Sequence, residues 1–343
     1  MPAFLPQPRP LPEAPSLRWG VLAPGGIAGR FVDAVLARTG QRVVAVGSRS
    51  AERAEAFARD HGVERWHGSY EALVADPEVD VVYIASPHSA HAEQALLAIA
   101  AGKHVLIEKP FTADAASARV VRDAAAAAGV LAMEAMWTRY LPQYDVLRQL
   151  LDDGAVGEIG LVEADFGFAF PFDPAHRLYD PAQAGGALLD AGVYPLSFVS
   201  SVLGAPTAVT ARGSLAPTGV DERATMLLDY ADPEVRGIAS TALTSMLPVQ
   251  ATISGTEGII ELIPPFLFPT GIRFSANGPM AAEAPLEWVD RTFDDRYDGL
   301  SYEATALAGY VAEGRLESPV HPLDEVVSVL EVIDETRRQL GAR

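Results

Sequence analysis

Trp19-Gly20-Val21-Leu22-Ala23-Pro24-Gly25-Gly26-Ile27-Ala28-Gly29 joins a short apolar run to a glycine-bearing turn that opens a helical stretch. A strand, a tight turn and a helix in that order leave free helix N–H groups at the strand's end, where a phosphate can be held. The turn departs from the usual dinucleotide pattern, because alanine stands at the first and third glycine positions and Gly25 alone keeps its place. A turn with no ligand would read much the same, so the strand before and the helix after carry the inference. Gly25, Gly26, Ile27 and Ala28 are the expected pyrophosphate contacts.

Outward from this turn, β-rich runs alternate with alanine-rich stretches as far as about residue 135, the pattern of a parallel α/β sheet. Strands are expected at Trp19–Ala23, Arg42–Ser48, Val79–Ser86, His104–Ile107 and Val130–Met133. Helices are expected at Ile27–Ala37, Ala51–His61, Ala90–Ala101 and Ala113–Ala128, the last opened by Thr112 and closed by Gly129. After a linking helix at Leu141–Asp152 the texture changes. Runs at 159–168, 208–214, 224–230, 236–244, 250–254 and 258–263 follow one another across short turns, which predicts a mostly antiparallel sheet. One helix, Gly186–Leu203, interrupts them, and two more close the chain at Ser301–Glu313 and Leu323–Leu340. The expected architecture is α/β: a proline-rich arm over 1–16, a Rossmann domain over 17–135, and an α+β domain with an open sheet over 136–343.

Composition limits the partners. A net charge of −19 opposes attraction to nucleic acid or to an anionic membrane surface. With no cysteine there is no disulfide, thiol nucleophile or cysteine zinc site, which suits a reducing cytoplasm. The first sixteen residues hold six prolines, with no basic or long apolar region of the secretory kind, and read as an extended arm that is either unstructured or packed on a neighbouring subunit. No window reads as apolar enough to span a bilayer.

The end of the second strand bears on the choice of cofactor. Sites selective for NAD place an acid there for the ribose 2′-hydroxyl, roughly 20 residues past the glycines. This chain has Ser48-Arg49-Ser50, with Arg53 a turn later, so a 2′-phosphate is met by arginine and NADP is expected ahead of NAD. The plainer alternative is that both arginines are solvated and paired with Glu52 and Glu55. Two further segments fall at strand ends, Ser86-Pro87-His88-Ser89-Ala90-His91 and Glu108-Lys109-Pro110, and both should border the nicotinamide. His88 and His91 also read as exposed helix-start residues with no chemical role. Lys109 is one of two lysines, against 24 arginines. Arginine cannot release a proton in a protein and lysine can, so a lysine at a strand end suggests chemistry. Lys103, the other, reads as solvated.

These residues resemble the Gfo/Idh/MocA oxidoreductases. Glu108-Lys109-Pro110 matches the family's lysine motif, and Gly185-Gly186-Ala187-Leu188-Leu189-Asp190-Ala191-Gly192-Val193-Tyr194-Pro195 matches its second-domain motif. Tyr194 replaces the commoner histidine, as in the branch that contains glucose-fructose oxidoreductase, dimeric dihydrodiol dehydrogenase and xylose dehydrogenase. Glu134–Pro142 and His176–Pro181 are similar to that branch as well. The resemblance implies reversible hydride transfer on sugars, cyclitols and related alcohols, and assembly into dimers or tetramers through the open sheet of the C-terminal domain.

Read from the residues, Asp190 and Tyr194 are four apart and share one helix face, and Gly185 and Gly186 before them permit close approach of backbone to a ligand. A phenol titrates near ~10, and an adjacent ammonium favours the phenolate. Tyr194 is therefore expected to exchange the substrate proton with help from Lys109, while Asp190 binds a neighbouring hydroxyl. The reverse, with Lys109 as the acid/base, stays open, as does the reading of Tyr194 as core and Asp190 as a surface carboxylate. Trp137, Arg139, Arg177 and Tyr179 are the expected substrate contacts, with interdomain packing and ion pairing as their plainer role. No cluster has metal-ligand spacing, and hydride transfer needs none. Two other functions fit the same motifs: a glycosidase acting through transient oxidation on NAD, and a nucleotide-binding regulator without turnover.

Overall fold

A computed structural model describes residues 5–11, 13–277, 284–290, 292 and 295–342. The chain packs into two units that are not contiguous in sequence. One comprises Leu11–Tyr140 with Phe293–Val327, and the other comprises the residues up to Pro10, Leu141–Thr292 and Ser328–Arg343. A single cut near residue 135 therefore misses two returns of the chain.

The first unit is built on six parallel strands: β1 (Arg18–Leu22), β2 (Arg42–Gly47), β3 (Arg65–His67), β4 (Val81–Ile84), β5 (His104–Glu108) and β6 (Ala132–Ala135). Their order in the sheet is β3-β2-β1-β4-β5-β6, so strand order reverses between β1 and β4. Helices α1 (Gly26–Arg38), α2 (Ala51–His61), α3 (Tyr70–Val74), α4 (His91–Ala100) and α5 (Ala115–Ala128) connect them. Apart from the edge strand β3, the strands are buried along nearly their whole length, as expected when helices cover both faces. Helix α5 begins two residues later than the sequence suggests, because the Asp114 carboxylate, not Thr112, caps it by accepting from the Ser117 amide at 2.7 Å. Lys103 is half-buried and bonded, not simply solvated. Its ammonium donates to the carbonyls of Asp76 and Val79 at 2.9 and 2.7 Å and holds the turn ahead of β4.

Later residues complete this unit. On α8 (Leu300–Ala312), Glu303 is fully buried, and neither of its carboxyl oxygens is hydrogen-bonded among the described residues. His321 places Nε2 2.7 Å from Glu134, whose other oxygen accepts from the Phe111 amide at 2.7 Å. Arg139 is 5% exposed, donates to Glu325 at 2.6 Å and to the Val320 carbonyl at 2.7 Å, and so has no surface to offer a substrate.

The second unit holds an eight-stranded sheet ordered β14-β13-β12-β11-β7-β10-β9-β8. Its strands are β7 (Ile159–Gly167), β8 (Ala208–Leu215), β9 (Asp221–Asp229), β10 (Arg236–Ala242), β11 (Ala251–Gly255), β12 (Gly258–Leu262), β13 (Gly271–Ala276) and β14 (Leu286–Val289). All neighbours run antiparallel except β7 and β10. Alternate residues face inward, with Met226 and Leu228 buried and Leu227 exposed between them. Helices α6 (Pro142–Asp152) and α7 (Val193–Leu203) belong to this unit, while α9 (Leu323–Leu340) starts in the first unit and ends in the second. The described part of the arm packs on its own chain: Leu5 is buried, the Gln7 carbonyl accepts from Gln149 at 2.9 Å, and Arg9 bonds Asp145 through its amide at 2.6 Å and its side chain at 3.0 Å. Pro2 and Pro12 of that arm lie outside the described residues. One stretch, Pro181–Leu203, is long and apolar enough by composition to cross a membrane, contrary to the sequence reading. With 72% of its most apolar window buried, it has the character of a core helix.

Candidate functional site

In the first unit the carboxyl ends of β1, β2, β4 and β5 turn into the loops singled out in the sequence. Ala23 ends β1 with φ +69° and donates its amide to the Gly47 carbonyl at 3.1 Å, which ties the β1 and β2 loops together. The left-handed residue of the turn is thus an alanine where the dinucleotide pattern has glycine. Gly25 and Gly26 serve space: a side-chain carbon on Gly25 would meet only the Ala85 carbonyl at 4.0 Å, and one on Gly26 would meet nothing within 4 Å. No side chain caps α1, and its first turn carries no acid. Open backbone amides at the start of a 13-residue helix fit a pyrophosphate. Ile27 and Ala28 belong to the same turn, but the Ala28 methyl is fully buried, leaving only its backbone for a ligand.

Ser48 is buried and its hydroxyl accepts from the Ser50 amide at 3.2 Å, shaping the β2 loop from inside. Arg49 and Arg53 are exposed, and neither forms an ion pair among the described residues. Glu52, the partner suggested by the plainer reading, accepts from the Ser50 hydroxyl at 2.7 Å instead. The cation pair is therefore available to a phosphate.

At β4 and β5 the two histidines are not exposed helix-start residues. His91 is fully buried, with Nδ1 2.8 Å from the Pro110 carbonyl and Nε2 2.8 Å from the Ser86 carbonyl. It staples the two loops and has nothing left for a cofactor. Burial holds its titration below the ordinary histidine value, and the nearby carbonyls only partly offset that. His88 is 9% exposed and Ser86 likewise, whereas Pro87 is exposed. Glu108 also turns inward, accepting from the Tyr83 hydroxyl and from the Lys109 amide at 3.2 Å; burial pushes its carboxyl up. Lys109, half-buried and joined to Pro110 by a cis peptide bond, is left at the mouth of this loop.

In the second unit the motif 185–195 does not form a plain α-helix. Leu188–Gly192 is a π-helical turn, and α7 follows from Val193. Such turns recur at functional sites. Asp190 is 8% exposed and accepts from Arg177 Nη1 at 2.9 Å, so it is not a surface carboxylate. Arg177 keeps about half its side chain in solvent, with 47% exposure. Tyr194 is half-buried, and Phe166 stands edge-on to it with ring centroids 5.8 Å apart. Phe166 went unnoticed in the sequence because an inward strand residue looks the same whether it packs a core or lines a site. Gly185 and Gly186 admit protein, not ligand: a side-chain carbon on Gly185 would press on the carbonyls of Arg177, Leu178 and Asp180 at 2.7–2.9 Å, and Gly186 sits against Asp221. Tyr179 is 1% exposed and donates its hydroxyl to the Phe170 carbonyl at 2.9 Å, within a cluster of Leu178, Ala187, Ala216, Val220 and Leu243. It is therefore a core residue, not a substrate contact. Trp137, in the first unit, is 8% exposed.

Residues 17–136 match the oxidoreductase family with an NAD-binding Rossmann fold, and residues 144–261 match the Gfo/Idh/MocA C-terminal domain. The trans-1,2-dihydrobenzene-1,2-diol dehydrogenase of Oryctolagus cuniculus is 40% identical over 326 residues, covering 94% of this chain and 98% of its own. The Homo sapiens enzyme of that name is 38% identical over 331 residues, covering 95% and 97%. A 3-ketoreductase from Actinomadura kijaniata, solved with NADP and TDP-benzene, superposes with a TM-score of 0.80 at 27% identity over 94% of this chain and 98% of its own. With both domain matches in register and this similarity running nearly end to end, the chain belongs to the Gfo/Idh/MocA family of nicotinamide-dependent oxidoreductases.

Proposed function

We propose that this NAD(P)-dependent oxidoreductase moves a hydride between NADP(H) and a secondary alcohol, or its ketone, on a diol, sugar or cyclitol. The observation that carries the cofactor reading is the open amide cradle at Gly25–Gly26 with Arg49 and Arg53 unpaired at the adjoining strand end. A 2′-phosphate suits two guanidiniums and would be repelled by the acid that NAD sites place there. Similarity to the diol dehydrogenases supports the substrate class.

The nicotinamide supplies the hydride acceptor or donor. The protein's share is the proton: the Tyr194 hydroxyl gives or takes it, Lys109 is the supporting cation, and Asp190, oriented by Arg177, accepts from a second hydroxyl of the substrate. A vicinal pair of hydroxyls is what a carboxylate and a phenol four residues apart would select. The exposed apolar residues Leu227 and Ile259 on the second unit's sheet support assembly through that face, and the lack of cysteine supports a cytoplasmic setting.

The test is a screen of trans-diols, aldoses and cyclitols with NADP+ and NAD+, read by nicotinamide absorbance, on the wild type and on Arg49→Ala/Arg53→Ala. Turnover with a diol or sugar and a preference for NADP+ that the double variant loses is the expected result. Tighter NADH than NADPH binding would sink the cofactor assignment. Glycoside hydrolysis without net nicotinamide reduction would point to the oxidation-assisted glycosidase instead.

A further inference from the structure

Asp221, the first residue of β9, is fully buried. Its Oδ2 accepts from the Leu188 amide at 2.7 Å. Its Oδ1 has no hydrogen bond among the described residues and lies 3.7 Å from Arg337 Nε on α9. Arg337 also donates to the Gly185 carbonyl at 3.3 Å. Gly186, at φ +125°, makes room for the carboxylate, since any side-chain carbon there would collide with Oδ1. Burial pushes the Asp221 carboxyl up, and Arg337 and the Leu188 amide pull against it. A carboxylate taken wholly out of water is unfavourable unless it is paired and bonded, so a purely packing role would be better filled by an apolar residue.

The bond to Leu188 leads straight to the chemistry. Leu188 opens the π-helical turn, Asp190 is its third residue, and Tyr194 stands in the first turn of α7. The turn holds itself loosely: the Asp190 amide reaches the Gly186 carbonyl only at 3.4 Å. The tie from Asp221 is much shorter.

We propose that Asp221 is a positioning residue which, backed by Arg337, anchors the Leu188 amide and so fixes the turn that aims Asp190 and Tyr194 at the substrate's hydroxyls. This rests on the reading above that those two residues act on substrate; Asp221 itself touches none.

Asp221→Asn keeps an acceptor and removes the charge, while Arg337→Gln weakens the anchor without touching Asp221. Both are to be compared with wild type in steady-state kinetics and NADPH titration, with circular dichroism as the check on folding, and Asp221→Asn is to be repeated in a Tyr194→Phe background. The expected loss in kcat for Asp221→Asn is on the order of tenfold to a hundredfold, the scale for small misplacements of reacting groups, with NADPH affinity unchanged. In the Tyr194→Phe background the same substitution should cost clearly less, because one of the two groups being aimed is already gone and only the aim of Asp190 is left to lose. Wild-type kcat in a folded Asp221→Asn protein would overturn the proposal, and so would an equal loss in both backgrounds, which is the mark of a general structural effect. If Asp221→Asn does not fold, Arg337→Gln in the two backgrounds decides by the same criterion. Should Tyr194→Phe alone keep full turnover, it is the functional reading that fails.

Discussion

Arg139→Met replaces a guanidinium that is 5% exposed with an apolar chain of similar reach. In the wild type, burial pushes the Glu325 carboxyl up, but His321 and Arg139 more than reverse this and hold it at about 2, against an ordinary 4.5. At ~1.4 kcal/mol per unit that difference amounts to roughly 3 kcal/mol of stability at neutral pH. The variant leaves Glu325 to His321 alone and strips the Val320 carbonyl of its donor. Losing one partner of a buried pair typically costs 3–5 kcal/mol; relief of the repulsion between Arg139 and His321 returns part of that, so about 3 kcal/mol is expected. The pH dependence has a definite sign. A carboxyl with a depressed folded pKa stabilises above its unfolded value and loses that contribution as pH falls through about 4.5 toward 2. The deficit of the variant should therefore be largest at pH 6–8 and shrink toward pH 3.5. Urea unfolding followed by circular dichroism at pH 7 and pH 4 measures both values. Wild-type stability together with a raised KM for substrate would refute the argument and return Arg139 to the substrate.

Lys109→Met should abolish turnover while NADPH still quenches tryptophan fluorescence at near wild-type concentration; an active variant removes the lysine from the mechanism. Ala23→Gly should raise stability by about 1 kcal/mol by releasing a left-handed alanine, whereas Ala127→Gly in the exposed part of α5 should lower it by a similar amount, and urea midpoints moving in the same direction would refute the strain at Ala23. Glu303→Met should stabilise the protein at pH 8 by about 1–3 kcal/mol and far less at pH 5. Burial, then the carboxylates of Glu108 and Glu134, push the Glu303 carboxyl well above the ordinary 4.5 in the folded state, so wild-type stability falls as pH rises past that value. An equal gain at both pH values would contradict it.

The parallel sheet was legible because its strands are apolar runs and its helices are alanine-rich with Ser, Asp and Gly at their ends. Strand β3 escaped because it is three residues of Arg-Trp-His, and β13 and the edge strand β14 because they are short, with polar residues between apolar ones. The site was half legible. Residue types singled out Lys109, Asp190 and Tyr194 as candidates, and nothing in the spacing distinguished them from Arg139, Tyr179 and His91, which the fold turns inward. Burial of a polar side chain depends on partners far off in sequence, such as Glu325 for Arg139 or Pro110 for His91. The π-helical turn was hidden for the same reason, since its anchor at Asp221 lies 33 residues past Leu188.

The return of residues 295–327 to the first unit sets an order on the birth of the protein. Glu134 is made 187 residues before His321, its buried partner, and Arg139 is made 186 before Glu325. At typical elongation rates the interval is roughly 10–40 s. Throughout it Glu134 keeps the Phe111 amide but lacks His321, and Arg139 lacks Glu325. The Rossmann half therefore completes these two buried pairs only after the segment containing His321 and Glu325 has left the ribosome.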